Sequence, residues 1–433
     1  MSVDKPKVLV ISSCPLSMGP AIIAEQYYES LRLKGLEVDL LLKEPDPNHP
    51  EYMSVVKAGY SKRLIVRMRR AILLLLARLR RGQNNYVFCY GKEIHPPVPT
   101  RLILKKIIKH YELVIIIFWQ DMLSFETING IYDKLHCQIQ FIGVDYSHMS
   151  GGCHFTNDCQ RYKEGCGLCP ALTIKSQNDF TSWNVKYRKK VYEKAKPIVY
   201  GNQYMMDFYK QSYLLKNANC ELLKSAIIDT DVFRPINDKG LREKYHISKD
   251  KKFVILYASQ VLTDERKGVK YFVDSLHILY DSLKEKSTQV LVLLVGKNYE
   301  AIKELIPFDS KGLGYVPMEQ LPELYSLASF YVCSSINDAG PMMVNQSLCC
   351  GTPVVGFEMG AVKELVKGNE CGVCVKLKDT QALAEGMKTI IEQTDEGYKR
   401  MSEQARNVAL GVCSFEASAN IILSNYYKYR NLL

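Results

Sequence analysis

The stretch Ser334–Pro353, SSINDAGPMMVNQSLCCGTP, decides the fold class of this chain. It follows a short apolar segment, Phe330–Cys333, that is typical of a buried strand. The turn residues Asp338-Ala339-Gly340-Pro341 then lead into a predicted helix over Met342–Cys350. Val354–Phe357 begins the next buried strand. This order predicts a parallel α/β unit whose loop presents backbone N–H groups to an anion, above all a phosphate.

Length and composition are those of a globular protein with two or three domains. The chain has 433 residues, of which 47% are hydrophobic and 24% charged. It has no run of eighteen apolar residues and no cleavable signal pattern, so we expect no transmembrane helix. Fourteen cysteines without a secretory signal favour a reducing cytosol. The net charge of +11 favours phosphate-bearing or lipid partners, because no zinc-finger, RRM or helix-turn-helix spacing indicates nucleic acid.

Strands alternate with helices along the whole chain, which predicts mostly parallel sheets. The first unit opens with a strand at Lys7–Ser12, the glycine-containing turn at Gly19, and a helix over Ala21–Lys34. A second unit opens with a strand at Phe253–Ser259 and a helix over Val269–Leu283. Further predicted elements are the helix Arg101–His110 and the strands Glu37–Leu42, Tyr86–Tyr90, Leu113–Phe118, Gln138–Val144 and Val290–Gly296.

A basic and apolar segment, Ser61–Gln83, has the pattern of an interfacial helix. Its apolar residues recur at helical spacing, and arginines crowd both ends from Arg63 to Arg81. Such a helix lies on an anionic membrane with its arginines among the lipid phosphates. The alternative is a helix that faces the core and has a solvated basic side.

Four cysteines lie close together in the segment DYSHMSGGCHFTNDCQRYKEGCGLCP, which covers residues 145–170. This density predicts a structural zinc site with four thiolate ligands. The spacing matches no common zinc finger, so buried free thiols or a redox-labile pair remain the alternative. The predicted ligands are Cys153, Cys159, Cys166 and Cys169.

The order Asp338-x7-Gln346, followed by Cys-Gly-Thr-Pro-Val-Val, resembles the acidic-x7-Glu signature of family-four retaining glycosyltransferases of the GT-B architecture. The segment from Gly151 to Pro170 resembles that of a bacterial subgroup that builds O-antigens, capsules and exopolysaccharides. Together with Ser225–Pro235, which resembles the interdomain segment of the family, the resemblance covers most of the chain. It implies transfer of a sugar from a UDP- or GDP-linked donor, with retention of configuration.

The resemblance also assigns roles to residues of the second unit. It places Asp338 beside the transferred sugar and Gln346, where the family has a glutamate, at the ribose. An amide still bonds a hydroxyl but carries no charge. Arg266 and Lys267 would hold the diphosphate without a catalytic metal. The remaining donor-binding positions that it implies are Gly19, Val316, Gly340, Pro341 and Met342.

One position departs from the family in the first unit. The family commonly has a histidine at the end of the strand before the cysteine segment, where this chain has Val144 followed by Asp145. His148 and His154 lie nearby in the sequence and are the candidate substitutes. A lone histidine is more often structural than catalytic. Because they lie close to the position of the missing histidine, Asp145, His148 and His154 are nevertheless candidate catalytic residues, together with Asp338.

These observations predict two facing Rossmann-like domains with the active site in their cleft. Residues 1–220 would form the domain that faces the acceptor and the membrane, and residues 221–413 the domain that binds the nucleotide sugar. A helix at 414–433 would cross back to the first domain. The predicted function is transfer of a sugar to a lipid-linked glycan, at the inner face of the cell membrane, in surface polysaccharide biosynthesis. The changes at Val144 and Gln346 keep open a degenerate subunit that binds a nucleotide sugar or glycan without turnover. A sugar-nucleotide epimerase of the same architecture is a third alternative.

Overall fold

The computed structural model describes residues 5–16, 18–57, 91–237 and 240–430. The basic and apolar segment Ser61–Gln83 and the strand predicted at Tyr86–Tyr90 lie outside the described residues. The membrane helix therefore stays a prediction. By contacts, the chain divides into an N-terminal unit, Met1–Leu223 with Ser418–Leu433, and a C-terminal unit, Lys224–Ala417.

The described part of the N-terminal unit contains a parallel sheet of seven strands in the order β3-β2-β1-β4-β5-β6-β7. Every residue of Val8–Ser12 and of Gln138–Ile142 is buried, as expected where helices cover both faces of a parallel sheet. The strands are β1 Val8–Ser12, β2 Val38–Leu42, β3 Met53–Ser54, β4 Leu113–Phe118, β5 Gln138–Ile142, β6 Ile198–Gly201 and β7 Asn219–Leu222. The helices are α1 Gly19–Leu33, α2 Thr100–Lys106, α3 Phe125–Leu135, α4 Phe180–Ala195 and α5 Gln203–Tyr209.

The C-terminal unit contains a parallel sheet of six strands, among the residues described, in the order β10-β9-β8-β11-β12-β13. Alternate residues of β8 enter two separate cores: Val254 and Leu256 face one, while Ile255 and Tyr257 face the other. The strands are β8 Phe253–Val261, β9 Val290–Lys297, β10 Asp309–Gly314, β11 Phe330–Cys333, β12 Val354–Phe357 and β13 Gly372–Val375. The helices are α6 Leu241–Lys244, α7 Val269–Leu283, α8 Glu300–Lys303, α9 Leu321–Leu327, α10 Met342–Cys349, α11 Gly360–Leu365, α12 Thr380–Ile391 and α13 Asp395–Cys413.

A last helix, α14 Phe415–Tyr429, begins in the C-terminal unit and ends in the N-terminal unit. Two glutamines of β5 are bonded to its backbone: Gln138 donates to the Tyr426 carbonyl at 3.2 Å, and Gln140 donates to the Ile422 carbonyl at 3.3 Å. Both amides are buried. The helix therefore supplies hydrogen-bond acceptors to two side-chain amides that are buried in the sheet.

By length and composition alone, one helical stretch of the described chain, Asp395–Tyr429, could span a membrane. It consists of α13 and α14, which are broken at Ser414. Ala405, Ala409 and Cys413 belong to a core of the C-terminal unit, so part of its apolar surface is already covered by protein.

The structure differs from the predicted elements at two places in the described chain. The helix predicted over Arg101–His110 ends at Lys106, because Ile107 leaves helical geometry and is buried. Strand β10, Asp309–Gly314, is not among the predicted elements. Its glycines are weak strand formers, but pairing with β9 supplies the backbone hydrogen bonds and overrides that preference.

Candidate functional site

The loop after β11 leads into α10 as the opening stretch of sequence predicts. Pro341 precedes the first helical residue, Met342, and Gly351 follows the helix in the left-handed conformation at φ 71°. The Asp338 carboxylate accepts a hydrogen bond from the Gly340 N–H at 3.1 Å, which closes the turn. Gly360 at the start of α11 packs on this turn, since a Cβ there would lie 3.2 Å from the Pro341 ring.

A second loop, between β8 and α7, lies against the first. Asp264 caps the turn Glu265–Lys267, and Gly268 follows at φ 68°. A Cβ at Gly268 would lie 1.9 Å from the Ser334 carbonyl oxygen, so only glycine allows this approach. The glycine that follows Lys267 therefore has a steric reason.

Backbone hydrogen bonds fasten the two loops together. The Ile336 N–H donates to the Arg266 carbonyl at 2.8 Å. The Lys267 carbonyl accepts from the Ser334 hydroxyl at 2.9 Å and from the Tyr257 hydroxyl at 3.1 Å. These bonds fix the backbone from which the Lys267 side chain extends.

The side chains of Lys267 and Asp338 meet between the two loops. Their Nζ and Oδ2 atoms are 2.5 Å apart, and the side chains are 19% and 12% exposed. Burial by itself lowers the pKa of the Lys267 ammonium, but the Asp338 carboxylate outweighs it and raises that pKa. Arg266 is paired in the same way with Asp264, at 2.6 Å. The structure thus brings three predicted site residues, Arg266, Lys267 and Asp338, to one edge of the sheet.

Gln346 lies on the buried side of α10 and is 2% exposed. Its Oε1 accepts a hydrogen bond from the Tyr325 hydroxyl at 3.1 Å, and its Nε2 donates to the Met318 sulfur at 3.3 Å. Sulfur is a weak acceptor, so the amide nitrogen can exchange this partner for a stronger one. Val316 packs on the same core, close in sequence to Met318. Sequence reasoning did not identify Tyr325, which is a buried tyrosine on α9.

In the N-terminal unit, Asp145 and His154 form a buried pair just beyond β5. His154 Nδ1 and Asp145 Oδ2 are 2.5 Å apart, and both the backbone N–H and the hydroxyl of Ser147 donate to the other carboxylate oxygen. Burial alone raises the pKa of the Asp145 carboxyl, but the His154 ring and Ser147 outweigh it and hold that pKa below its usual value. The His154 ring also stacks on Phe118, with centroids 5.7 Å apart.

His148, the other candidate histidine, lies in the apolar core. It is 1% exposed and its ring contacts Trp119 and Phe141, with centroids 4.6 and 5.1 Å away. Burial lowers its pKa to about 3, so the ring is neutral at physiological pH. Of the two predicted histidines, His154 has the more exposed side chain, at 12%. Val144, at the position of the histidine in the resembling family, is partly exposed.

The four cysteines of the predicted zinc site line one small cavity. In the described part of the chain, however, no group of three or more His, Cys, Asp or Glu side chains has an arrangement that could hold a metal ion. Burial raises the pKa of Cys153, Cys166 and Cys169 to about 12, so these thiols are protonated and neutral at physiological pH.

A buried ion pair that sequence reasoning missed supports this segment. Arg188 is 2% exposed, donates to Glu93 at 2.9 Å and to the Ser150 carbonyl at 2.6 Å, and also bonds the Ser147 carbonyl. Asn184, one turn earlier, donates to the Gly151 carbonyl at 2.9 Å. Both residues fall at helical spacing on the buried stripe of α4, and that spacing was the available signal.

Comparison with known proteins agrees with the arrangement of the C-terminal unit. Residues 239–408 match the family Glycosyl transferases group 1. An alpha-galactosylglucosyldiacylglycerol synthase from Streptococcus pneumoniae (strain ATCC BAA-255 / R6) is 24% identical over 190 residues, which are 41% of this chain and 45% of that protein. The alignments span about half the length of the curated relatives that the chain matches.

Solved structures of low identity share the fold over nearly the whole chain. Sucrose-phosphate synthase from Thermosynechococcus elongatus has a TM-score of 0.65 at 17% identity, with 99% of both chains covered. The Anabaena protein HepE, in complex with UDP and glucose, has a TM-score of 0.60 at 14% identity, with 98% of this chain and 100% of HepE covered. The predicted fold, two Rossmann-like domains with a C-terminal helix, is confirmed.

The glycosyl transferases group 1 segment contains Arg266, Lys267, Asp338 and Gln346. It does not include Asp145, His154 or the four cysteines, which lie in the N-terminal unit. The two sets of candidate residues therefore rest on different support. The family match covers the positions of the first set only, and the role of every residue in both sets stays a prediction.

Proposed function

We propose that this chain is a retaining glycosyltransferase that moves a sugar from a nucleoside-diphosphate donor to a lipid-linked glycan during surface polysaccharide synthesis. The observation that carries the proposal is the meeting of Lys267 and Asp338 at 2.5 Å, between two loops that each lead into a helix. A cation and helix N-termini suit a diphosphate, and a neighbouring carboxylate suits a sugar. UDP in the solved complex of HepE, a structure of the same fold, supports a nucleotide donor.

The chemistry of transfer needs both charges. Breaking the bond between sugar and diphosphate builds positive charge on the sugar and negative charge on the leaving phosphate. Lys267 and Arg266 stabilise that phosphate without a catalytic metal. Asp338 favours the oxocarbenium-like sugar, as carboxylates do in other glycosyl transfers. Gln346 bonds the ribose through its amide nitrogen.

The N-terminal unit is assigned the acceptor and the membrane. In this unit the Asp145–His154 pair lies beyond the end of a parallel strand, and ligands bind at such strand ends in sheets of this kind. The segment from Arg63 to Arg81 would lie on the inner face of the cell membrane. The glycolipid named in the S. pneumoniae relative supports an acceptor of lipid type. The structural zinc ion predicted at the four cysteines is not part of this proposal, because no group of three described side chains is arranged to hold a metal ion.

Release of free nucleoside diphosphate tests the proposal. Purified protein is incubated with UDP- and GDP-sugars, with and without a lipid-linked glycan, and we expect release that depends on the acceptor. Lys267→Ala should lose roughly 2–4 kcal/mol of transition-state stabilisation, or about 30- to 1,000-fold in kcat/KM. The matched control is Lys270→Ala, because Lys270, in the first turn of α7, is 81% exposed and pairs on the surface with Asp274.

The outcomes separate the alternatives. Near-wild-type transfer by Lys267→Ala would remove this lysine from the phosphate site. Binding of nucleotide sugars without release of product, at any acceptor, would favour the degenerate binding subunit that the changes at Val144 and Gln346 keep open. Interconversion of free nucleotide sugars would indicate the epimerase.

A further inference from the structure

The cations of the proposed phosphate site are paired with carboxylates of the protein itself. Lys267 contacts Asp338 at 2.5 Å and Arg266 contacts Asp264 at 2.6 Å. A nucleoside diphosphate that binds Lys267 must therefore compete with a carboxylate already bonded to the same ammonium. The competition is strong for Lys267, because neither member of its pair is more than one fifth exposed and water screens the attraction little.

The backbone of Lys267 and the carboxylate of Asp338 are both held by other hydrogen bonds. The Lys267 carbonyl is held by two hydroxyls, and Gly268 lies against the Ser334 carbonyl. The Asp338 carboxylate is held by the Gly340 N–H at 3.1 Å. The contact must therefore open by rotation of side chains, mainly that of lysine, which has four rotatable bonds.

We propose that Asp338 competes with the diphosphate of the nucleotide for Lys267, and thereby weakens binding of the nucleoside diphosphate product more than binding of the donor. This inference rests on the proposed function. With the donor bound, the sugar lies beside Asp338 and offers hydroxyl groups in place of the ammonium. With the product bound, no sugar is present, and Asp338 returns to Lys267. The carboxylate thus acts on product release as well as on the reacting sugar.

The test is the affinity of UDP and GDP, measured by calorimetry at one salt concentration, for the wild type and Asp338→Asn. Asparagine keeps an oxygen for the Gly340 N–H but removes the charge that holds Lys267. We expect Asp338→Asn to bind the nucleotide about tenfold more tightly, a common size for coupling between competing groups. Asp338→Ala, which also frees Lys267, is the second variant and should shift the affinity in the same direction.

Two controls isolate the ion pair. Asp274→Asn removes an equal charge from the exposed Lys270–Asp274 pair on α7 and should leave the affinity unchanged. In a Lys267→Ala background, Asp338→Asn should no longer tighten binding, since the contested cation is gone. A gain that persists without Lys267 would mean general relief of negative charge and would overturn the inference.

The outcomes distinguish this inference from the proposed function. If the wild type binds a nucleoside diphosphate and both Asp338 variants bind it equally or more weakly, the competition is refuted and the function stands. If neither UDP nor GDP binds the wild type or any variant, the proposed nucleotide site is refuted, and the inference falls with it.

Discussion

Replacement of Arg188 by methionine should destabilise the N-terminal unit more than any exposed change on the same helix. Arg188 is 2% exposed, bonds Glu93 and two carbonyls of the segment after β5, and lies over the rings of Trp119 and Phe125 at 5.7 and 5.0 Å. Methionine fills a similar volume but leaves the buried Glu93 carboxylate without its cation. Removal of one partner of a buried ion pair typically costs about 3–5 kcal/mol.

Tryptophan fluorescence reports the loss of stability of the N-terminal unit specifically. The chain has two tryptophans, Trp119 and Trp183, and both belong to the N-terminal unit. For a domain of this size, 1 kcal/mol shifts Tm by about 2–4 °C, so 3–5 kcal/mol should lower the fluorescence midpoint by about 6–20 °C. Denaturant unfolding followed by the same signal gives the free energy directly.

Two further variants test the electrostatic reasoning. Lys189→Met, one residue along α4, removes a cation whose contact with Glu193 is 3.9 Å and exposed, and should change stability by less than about 1 kcal/mol. Adding Glu93→Gln to Arg188→Met should restore part of the loss, because the unpaired charge is then gone. An unchanged midpoint for Arg188→Met, or a double variant that is less stable than the single one, would refute the argument.

Three other predictions follow from the candidate sites. Gln346→Glu should keep nucleotide affinity and transfer, whereas Gln346→Leu should weaken nucleotide binding. The leucine variant also leaves the buried Tyr325 hydroxyl unpaired, which should lower the free energy of unfolding by about 1–3 kcal/mol. A leucine variant that binds UDP or GDP like the wild type would make position 346 a packing position. Protein purified under reducing conditions should contain less than one zinc ion per chain, and chelation should leave the tryptophan-detected midpoint unchanged, because the four cysteines are neutral thiols. Stoichiometric zinc in metal analysis would instead support the metal site predicted from the sequence. The protein should sediment with anionic vesicles at low salt and poorly with neutral ones. Replacement of Arg69, Arg70, Arg78 and Arg80 by glutamate should release it from the vesicles and leave nucleotide binding intact. Equal sedimentation of that variant would mean that the segment packs inward.

Local signals in the sequence were sufficient for most elements. The helix Val269–Leu283 has the predicted bounds, because Gly268 and the apolar spacing that define it are contiguous in the chain. Strand Leu113–Phe118 is predicted equally well, since a continuous apolar run suits a strand buried on both faces. Strand Asp309–Gly314 was missed because its pairing with β9, and not its own glycine-containing sequence, makes it a strand.

Pairings between distant residues could not be predicted from one sequence. Lys267 and Asp338 were each identified, but 71 residues separate them and nothing local indicates that their side chains meet. Asp145 and His154 were named as separate candidates, and their hydrogen bond depends on the turn between them. Arg188 and Glu93 are 95 residues apart, and an arginine on a helix is usually solvated, so the buried pair escaped notice.

The hydrogen bonds between β5 and α14 have a consequence for synthesis on the ribosome. Gln140 is separated by 282 residues from Ile422, whose carbonyl it bonds, and Gln138 by 288 from Tyr426. The strand leaves the exit tunnel long before these acceptors do, with the entire C-terminal unit translated in between. Domains usually fold in the order in which they are made. Here the nascent N-terminal unit must keep two amides of its central sheet hydrated, and its burial is completed only after the later unit has emerged.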